Sequence, residues 1–358
     1  MALQADSKTR TDPAAKMKKK NGVSSILPTN RLYVSGGRQR NTVFRKLEEW
    51  QSSDRALLIE LDPAKNQSSA CVEYASPPEV CAEELPAILF KSASLQGDKL
   101  YACTSTEVMV YEHPSFRLLH YISLPCFNDV HHVCPTQRGT LLVAVTGLDM
   151  VVELTTNGSL VREWNVLGED PWARFSRQTD YRKVATTKPH FSHPNHVFEL
   201  DGEVWVTRLQ QRDAICLSTP GPPRIDIAIQ RPHDGYVFGN RIYFTTVDGH
   251  VVIANRKTLQ VEETIDLNQM SGQSGDVLGW CRGLLPLDER WLWAGFTRVR
   301  PTKFMENIAW IKNRHTDRYK ASHLALYDLK NGTCEQVIDT EPHGIGVVFS
   351  LLPVPVRD

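Results

Sequence analysis

The chain lacks an excess of either charge, a long apolar run and any CxxC cysteine pair. Its 41 basic and 41 acidic residues give a formal net charge of zero, which provides no electrostatic basis for a nucleic-acid partner. No apolar run approaches the roughly 20 residues that span a bilayer, so we predict no membrane partner. Nothing in the composition indicates an oligomeric state.

The cysteines and the N-terminus suggest a cytoplasmic protein. Eight cysteines are scattered without the clustered spacing of a secreted disulfide framework, and most fall within strand patterns, so we expect reduced thiols. Residues 1–25 are polar, carry four lysines between Lys16 and Lys20, and lack the apolar core of a signal peptide. We predict a disordered basic tail over 1–25, followed by a single domain over 26–358.

Six segments, spaced by roughly 40 residues, are similar to one another, and four of them contain histidine. They are Ala87–Ser92, Asp129–His132, His193–His196, Pro232–Gly235, Trp280–Gly283 and Pro342–Ile345. After most of them, three β-branched or aromatic strand patterns follow, separated by turns such as Asp201-Gly202 and Asn331-Gly332. This period indicates an all-β, six-bladed β-propeller, in which the first strand of each blade lines a central channel.

Five blades are complete between Ala87 and Ile338, and the strands of the sixth lie at opposite ends of the chain. The C-terminal segment Val347–Leu352 would supply one strand, and segments starting at Leu32, Leu57 and Cys71 would supply the other three. We therefore predict that the C-terminal strand pairs with N-terminal strands. This pairing would close the ring and remove an open sheet edge.

Three long insertions fall on the predicted face where the first strands begin. They are Gly36–Arg55, Leu167–His190 and Val299–Lys320, and we interpret them as a rim or lid over the channel. This rim is basic. Its cations are Arg38, Arg40, Arg45, Arg174, Arg177, Arg182, Lys183, Lys188, Arg298, Arg300, Lys303, Lys312 and Arg314. Such a mouth favours a small anionic molecule, although the same residues could simply solvate long loops or pair with acids such as Asp180.

The recurring histidines predict a shared site at the channel. Imidazoles from separate blades can hold Zn or Fe with an open coordination position. The predicted metal ligands are His132, His196, His233 and His343. Propeller channels also hold polar residues that bond only to water and backbone, so a metal-free channel is the alternative.

Other members of the predicted ring suggest roles in binding and catalysis. Arg282 has the planar fork that holds an anion, and Asp234 could act as a general base or orient an imidazole. Asn195 could also orient an imidazole. We therefore predict that Asp234 and Arg282 are catalytic and that Arg282, Asn195, Arg298 and Arg300 contact the substrate.

This six-fold plan resembles the six-bladed propeller enzymes that include senescence-marker lactonases, strictosidine-synthase-like proteins and the zinc-dependent peptidyl-amidoglycolate lyase. In that lyase, histidines from different blades hold the metal, which His132, His196, His233 and His343 would imitate. The calcium-binding lactonases use carboxylate and amide ligands, in which this ring is poor. The stretch Cys281–Arg300 more closely resembles an uncharacterised bacterial propeller family with an "RGL…GFSR.R" passage, which implies a fold and no activity.

Two functions from different classes follow. The first is a small-molecule enzyme, a metal-assisted lyase, hydrolase or isomerase that acts on an anionic substrate in the channel. The second is a non-catalytic propeller that binds a protein or ligand on its loop face. The histidine ring favours the enzyme, because a scaffold has little need of imidazoles inside its channel.

Overall fold

A computed structural model describes residues 30–40, 52–82, 85–272, 277–299 and 320–355. The predicted tail over 1–25 lies outside these residues, as do most of the insertion after Gly36 and nearly all of the one after Val299. In the described part, six sheets of four antiparallel strands form a ring, which confirms the predicted propeller. The same residues include no helix long and apolar enough to cross a membrane.

The strands follow the chain in blade order, with short 3₁₀ turns between some of them. The split blade, blade 6, contains β1 (Leu32–Gln39), β2 (Ser53–Asp62) and β3 (Gln67–Tyr74). Blade 1 contains β4 (Ser92–Gln96), β5 (Lys99–Cys103), β6 (Val108–Glu112) and β7 (Leu118–Ile122). Blade 2 contains β8 (Val130–Pro135), β9 (Thr140–Val145), β10 (Met150–Thr155) and β11 (Leu160–Asn165).

Blades 3 to 5 repeat this plan. Blade 3 contains β12 (Pro194–Leu200), β13 (Glu203–Arg208), β14 (Asp213–Cys216) and β15 (Arg224–Asp226). Blade 4 contains β16 (Tyr236–Phe238), β17 (Arg241–Thr245), β18 (His250–Asn255) and β19 (Val261–Asp266). Blade 5 contains β20 (Trp280–Pro286), β21 (Trp291–Thr297), β22 (His323–Asp328) and β23 (Thr333–Asp339), and β24 (Val347–Pro353) completes blade 6. The 3₁₀ turns are Pro78–Val80, Thr146–Leu148, Tyr181–Lys183, Leu267–Gln269 and Glu341–His343.

The C-terminal strand closes the ring, as predicted. β24 pairs antiparallel with β1, and the register places Val34 opposite Leu351 and Leu32 opposite Pro353. The strand order in this sheet is β24-β1-β2-β3. The N-terminal and C-terminal strands therefore share one blade. Their pairing leaves no open sheet edge between β1 and β24.

The hydrophobic core is divided among the contacts between neighbouring blades. Each of the six blade–blade contacts contains its own cluster of buried residues. In the contact between blades 5 and 6, for example, Trp293 is fully buried together with Val34 and Leu324. Each blade thus buries both of its faces. Successive side chains along a strand point to opposite faces of the sheet, so apolar residues pack against both neighbouring blades.

Candidate functional site

A cavity of about 870 Å³ lies at the end of the ring where the first strands of the blades begin. All six blades contribute lining residues, and so do the connections that lead into β4, β8 and β12. The described insertion Leu167–His190 supplies part of the wall through Arg182, Lys188 and His190. The cavity therefore lies on the face where the sequence predicted a rim of loops.

Irregularities in the first strands decide which side chains reach this cavity. In blade 2, Val130 pairs with Val145 and His132 pairs with Ala144, so His131 is the extra residue of a β-bulge. A bulge turns the extra side chain away from the alternation of the strand. His131 consequently lines the cavity, whereas His132 does not.

Other blades use the same device. In blade 3 the register shift falls between Pro194 and His196, which leaves Asn195 as the extra residue. In blade 5 the shift lies between Cys281 and Leu284 and frees Arg282, next to Gly283 with φ +80°. A Cβ at Gly283 would lie 2.9 Å from the carbonyl oxygen of Phe349, so only glycine fits this left-handed position.

One residue per blade forms what we term the axial ring. Its members are Lys91, His131, Asn195, His233, Arg282 and Phe349, and all six line the cavity. In blade 6, Ser350 pairs with Ser35 and Val348 pairs with Gly36, which again leaves the residue between them, Phe349, unpaired in the register. The predicted channel residues Asn195, His233 and Arg282 belong to this ring.

The residues that follow the ring members, among them His132, His196 and Asp234, do not line the cavity. The rings of His132 and His196 stack on each other, with 3.6 Å between their centroids. Asp234 accepts hydrogen bonds from the Thr245 hydroxyl and from the backbone N–H of Gly283, 3.2 Å from its Oδ2. None of these three predicted site residues lines the cavity, and the bonds of Asp234 join neighbouring blades.

His343 lies apart from the other predicted metal ligands. It ends the 3₁₀ turn Glu341–His343, where its Nδ1 is 2.9 Å from Ser68 Oγ and its Nε2 is 3.0 Å from Asn66 Oδ1. The sequence analysis aligned Pro342–Ile345 with the starts of the other first strands, but β24 begins only at Val347. The predicted ligands His132, His196, His233 and His343 therefore do not converge on one point.

A different set of imidazoles gathers at one wall of the cavity. The Nδ1 atoms of His190 and His193 are 2.8 Å apart, and the ring centroids of His193 and His131 are 4.9 Å apart. Asp129 completes the group. Its Oδ1 lies 3.7 Å from His131 Nδ1 and accepts a hydrogen bond from the ammonium of Lys91.

Burial keeps the imidazoles of this wall neutral. Burial lowers the pKa of His131 and of His193 well below the ordinary value, against the attraction of the Asp129 carboxylate. It also lowers the pKa of His190 and His233. Burial opposes ionisation of Asp129, but the ammonium of Lys91 outweighs it and holds the pKa of this carboxyl well below its ordinary value. The wall therefore presents a carboxylate among neutral nitrogen bases.

The segment that carries two of these histidines is held rigidly. Asp149 is fully buried, and its carboxylate accepts hydrogen bonds from the backbone N–H groups of Phe191, Ser192 and His193 at 2.8, 3.0 and 2.8 Å. His193 and Asp129 have φ values of +60° and +52°, a left-handed conformation that is unfavourable for residues with a side chain. Such strained residues concentrate at functional sites.

Cations outnumber carboxylates around the cavity. Among the described residues, its lining includes Lys91, Arg182, Lys188, Arg231, Arg282 and Arg298, and Asp129 is the one carboxylate. Among these cations, Lys91 is paired with Asp129, Arg182 with Asp180 and Arg298 with Glu341. Among the predicted rim residues outside the cavity, Arg38, Arg174 and Arg177 are also paired with acids. Arg300 falls outside the described residues.

Arg282 separates the polar wall from an apolar one. Its guanidinium carbon lies 4.3 Å from the ring centroid of Phe349 and 5.9 Å from that of Trp280. Ile88, Leu89 and Val347 continue the apolar lining on the side of blades 6 and 1. The cavity therefore combines an apolar wall, a guanidinium and a wall of imidazoles.

Two ring members have hydrogen-bonding capacity that the described residues do not use. Both ring nitrogens of the buried His233 lack a hydrogen-bond partner, and the nearest carboxylate oxygen, Asp234 Oδ1, is 3.7 Å from Nδ1. The side-chain nitrogen of Asn195 donates to the carbonyl of Pro232 at 2.9 Å, which leaves its Oδ1 without a partner among the same residues. Buried polar groups are normally satisfied, so these atoms stand out, and each is enclosed in the wall rather than open to the cavity.

Sequence reasoning missed the cluster on the histidine wall. His131 precedes a histidine that fits the strand pattern equally well, so the doublet at 131–132 does not show which imidazole faces the channel. His190 belongs to a loop rather than a strand, and Phe349 looked like a core residue of the last strand. The register shifts at His131, Asn195, Arg282 and Phe349 decide which side chains face the cavity, and no local sequence motif marks them.

No protein-family model matches the chain, and no curated protein matches it. The crystal structure of a protein of unknown function from Bacteroides caccae is similar over 91% of this chain and 99% of that chain, with 12% identity and a TM-score of 0.58. A chain in the crystal structure of a mitotic checkpoint complex is similar over 97% of this chain and 92% of that chain, with 9% identity and a TM-score of 0.48. This likeness is too weak to support an argument. The comparisons do not confirm the resemblance to lactonases, strictosidine-synthase-like proteins or the amidoglycolate lyase. They support the six-bladed β-propeller fold alone.

Proposed function

We propose that the axial cavity is the active site of a small-molecule enzyme that acts on an anionic substrate. The observation that carries this proposal is the axial ring, in which all six blades direct a side chain into one cavity of about 870 Å³. That volume lies within the range of roughly 300–1,000 Å³ that is typical of small-molecule sites. The preponderance of cations in its lining favours a carboxylate, phosphate or sulfate group.

Arg282 is the residue best suited to bind the anionic group. Its guanidinium lies against Phe349, at the boundary between the apolar and the polar wall, so a bound anion would contact both it and His233. Asn195 and His233 have polar side-chain atoms without a partner among the described residues, and a rotation of either side chain toward the cavity would let it add a hydrogen bond. The apolar wall would hold the rest of the substrate.

His131 is the best candidate for a general base. Its Nδ1 lies 2.8 Å from the carbonyl oxygen of Asp129, so this nitrogen donates its proton and Nε2 carries the lone pair. A neutral imidazole fixed in this tautomer can accept a proton from a water molecule or from an acidic C–H group of the substrate. Hydrolysis, elimination and isomerisation all begin with such a proton transfer, so we retain the three reaction classes lyase, hydrolase and isomerase.

The test is a thermal-shift screen of the untagged protein against pairs of metabolites that differ only by an anionic group, followed by activity assays on the hits. A ligand at 100 times its dissociation constant adds about 2.7 kcal/mol of stability. We expect the anionic member of a pair to stabilise the protein and Arg282→Ala to remove the effect. Arg177→Ala is the control, because Arg177 pairs with Glu163 on the same face outside the cavity.

The outcome also separates the two predicted functions. Preference for neutral or cationic ligands, or equal losses in both variants, would contradict the anion site. A hit that binds through Arg282 and is never converted would leave the cavity as a ligand-binding site and overturn the enzyme proposal in favour of a non-catalytic propeller.

A further inference from the structure

Among the described residues, one group of three side chains brings metal-ligating atoms together. One ligand atom from each of Asp129, His190 and His193 lies within 4.8 Å of the other two. The two imidazole nitrogens face each other at 2.8 Å. Tetrahedral ligands with bonds of roughly 2.0 Å are about 3.3 Å apart, so small side-chain rotations would suffice for all three to reach one ion.

Thr187 fixes the tautomer of His190. The Thr187 hydroxyl donates its proton to the carbonyl oxygen of Gly147, so it can only accept from His190 Nε2, which lies 3.3 Å away. His190 therefore carries its proton on Nε2 and its lone pair on Nδ1, so His193 Nδ1 donates to it in the metal-free protein. When an ion binds, His193 must move this proton to its Nε2, which frees both Nδ1 atoms as ligands. A hydrogen bond to the distal nitrogen of a ligating histidine is the usual arrangement around protein-bound metals.

The backbone holds the other two ligands in place before any ion binds. Asp149 bonds the N–H of His193, and both His193 and Asp129 are in the left-handed conformation. Rigid placement of this kind is expected of a site that must hold its ligands at a fixed geometry. The cavity borders all three residues, so further coordination positions would be open to a substrate or water.

We propose that Asp129, His190 and His193 bind one divalent transition-metal ion through a carboxylate oxygen and the two Nδ1 atoms. Two imidazoles and one carboxylate suit Zn²⁺ or Fe²⁺ and leave positions for a reacting group. The site itself depends only on these residues, whereas its role as a Lewis acid for the anionic substrate rests on the function proposed above. It differs from the predicted set His132, His196, His233 and His343, in which His132 and His196 are stacked and His343 lies apart.

Lys91 provides a sharp prediction for this site. Its ammonium is bonded to Asp129 Oδ1 and so competes with a cation for the same carboxylate. Lys91→Met should strengthen metal binding at least tenfold, because it removes a nearby positive charge. If the cluster served only as a hydrogen-bonded support, this substitution would not create tighter metal binding.

The experiment is a titration of the metal-free, full-length, untagged protein with Co²⁺, followed by visible absorption, and with Zn²⁺, followed by calorimetry. We expect one equivalent to bind with the d–d bands of a four- or five-coordinate site. Asp129→Asn and His193→Ala should each weaken binding at least 100-fold, and Thr187→Val should weaken it about tenfold or more. His196→Ala and His233→Ala are matched controls that should bind like the wild type.

Circular dichroism of the metal-free variants shows whether each retains the fold. Absence of a stoichiometric Co²⁺ site in the wild type, or equal affinity in the Asp129 variant and the controls, would overturn the metal proposal. Loss of metal in His233→Ala with retention in His193→Ala would do so too. Anionic ligands that still bind the metal-free protein through Arg282 would show that only the metal proposal had failed.

Discussion

Asp149 offers the clearest test of how the cavity is built, because one buried side chain holds the segment 191–193. Its Oδ1 accepts from Ser192 N and His193 N, and its Oδ2 accepts from Phe191 N and from Arg174 Nη1 at 2.8 Å. We predict the effect of Asp149→Asn, which preserves the shape of the side chain. Asparagine also tolerates the left-handed backbone at this position, where φ is +52°.

The magnitude follows from the bonds that an amide cannot accept. Each carboxylate oxygen of Asp149 accepts two hydrogen bonds. Whichever way the asparagine amide is turned, its –NH₂ group replaces one of these oxygens and faces two N–H donors without accepting a bond from either. Net contributions of hydrogen bonds to a charged group are about 1.5–3 kcal/mol each, so two losses give a destabilisation of about 3 kcal/mol or more. Because the same bonds position His193, we also expect weaker binding of ligands in the cavity.

The assay is urea unfolding of the wild type, Asp149→Asn and the control Asp180→Asn. Asp180 lies on the insertion Leu167–His190, which leads into the segment that Asp149 holds, and pairs with Arg182; its side chain is 36% exposed, so its loss should cost about 1 kcal/mol or less. A wild-type stability in Asp149→Asn, or equal losses in the two variants, would refute the reasoning that the buried carboxylate organises this wall.

Three further predictions address closure, pH and binding. Deleting residues 349–358 should abolish cooperative unfolding in calorimetry, because it removes most of the strand that pairs with β1; a cooperative transition like that of the full chain would contradict this. Burial lowers the pKa of His323 to about 4, so the unfolded chain takes up a proton below about pH 6.5 that the folded protein does not, and stability falls between pH 6.5 and 4. Urea unfolding should therefore show that the free energy of unfolding falls by about 2 kcal/mol less in His323→Phe than in the wild type when the pH is lowered from 7 to 5. Equal decreases would show that His323 is not responsible for this pH dependence. Arg282→Lys keeps the charge but not the planar fork, so calorimetry should give an affinity for an anionic hit between those of the wild type and Arg282→Ala; an unchanged affinity would indicate no bidentate contact.

The sequence was sufficient to predict the propeller and its closure because both depend on repeated local signals. Hairpin turns such as Asp201-Gly202 recur in most blades, and the terminal segments have strand patterns that lack partners elsewhere. Side-chain alternation in a strand has a period of two, so these signals place the strands well without fixing where a bulge falls.

The site could be predicted only in outline for the same reason. One extra residue at His131 exchanges the roles of His131 and His132, and the 3₁₀ turn before β24 moves His343 away from the ring. Asn195, His233 and Arg282 line the cavity, and a register shift lies at Asn195 and at Arg282. His190 reaches the site through a long loop whose path depends on tertiary contacts, such as those of Arg174 with Asp149 and of Thr187 with Gly147.

The cytoplasmic location and the disordered tail over 1–25 stay predictions, since the described residues do not include that segment. The predicted reaction classes also stay open. Under the proposed function, His131 would serve as the base and Arg282 as the anion-binding group in each of them, and both residues line the cavity.

The most direct test of the central claim is a crystal structure of the protein with the strongest anionic hit from the metabolite screen. We predict that the ligand occupies the axial cavity, with its anionic group within about 3.5 Å of the Arg282 guanidinium and a hydrogen bond to His233 or Asn195. A ligand bound outside the axial ring, or one in the cavity whose anionic group points away from Arg282, would contradict the account.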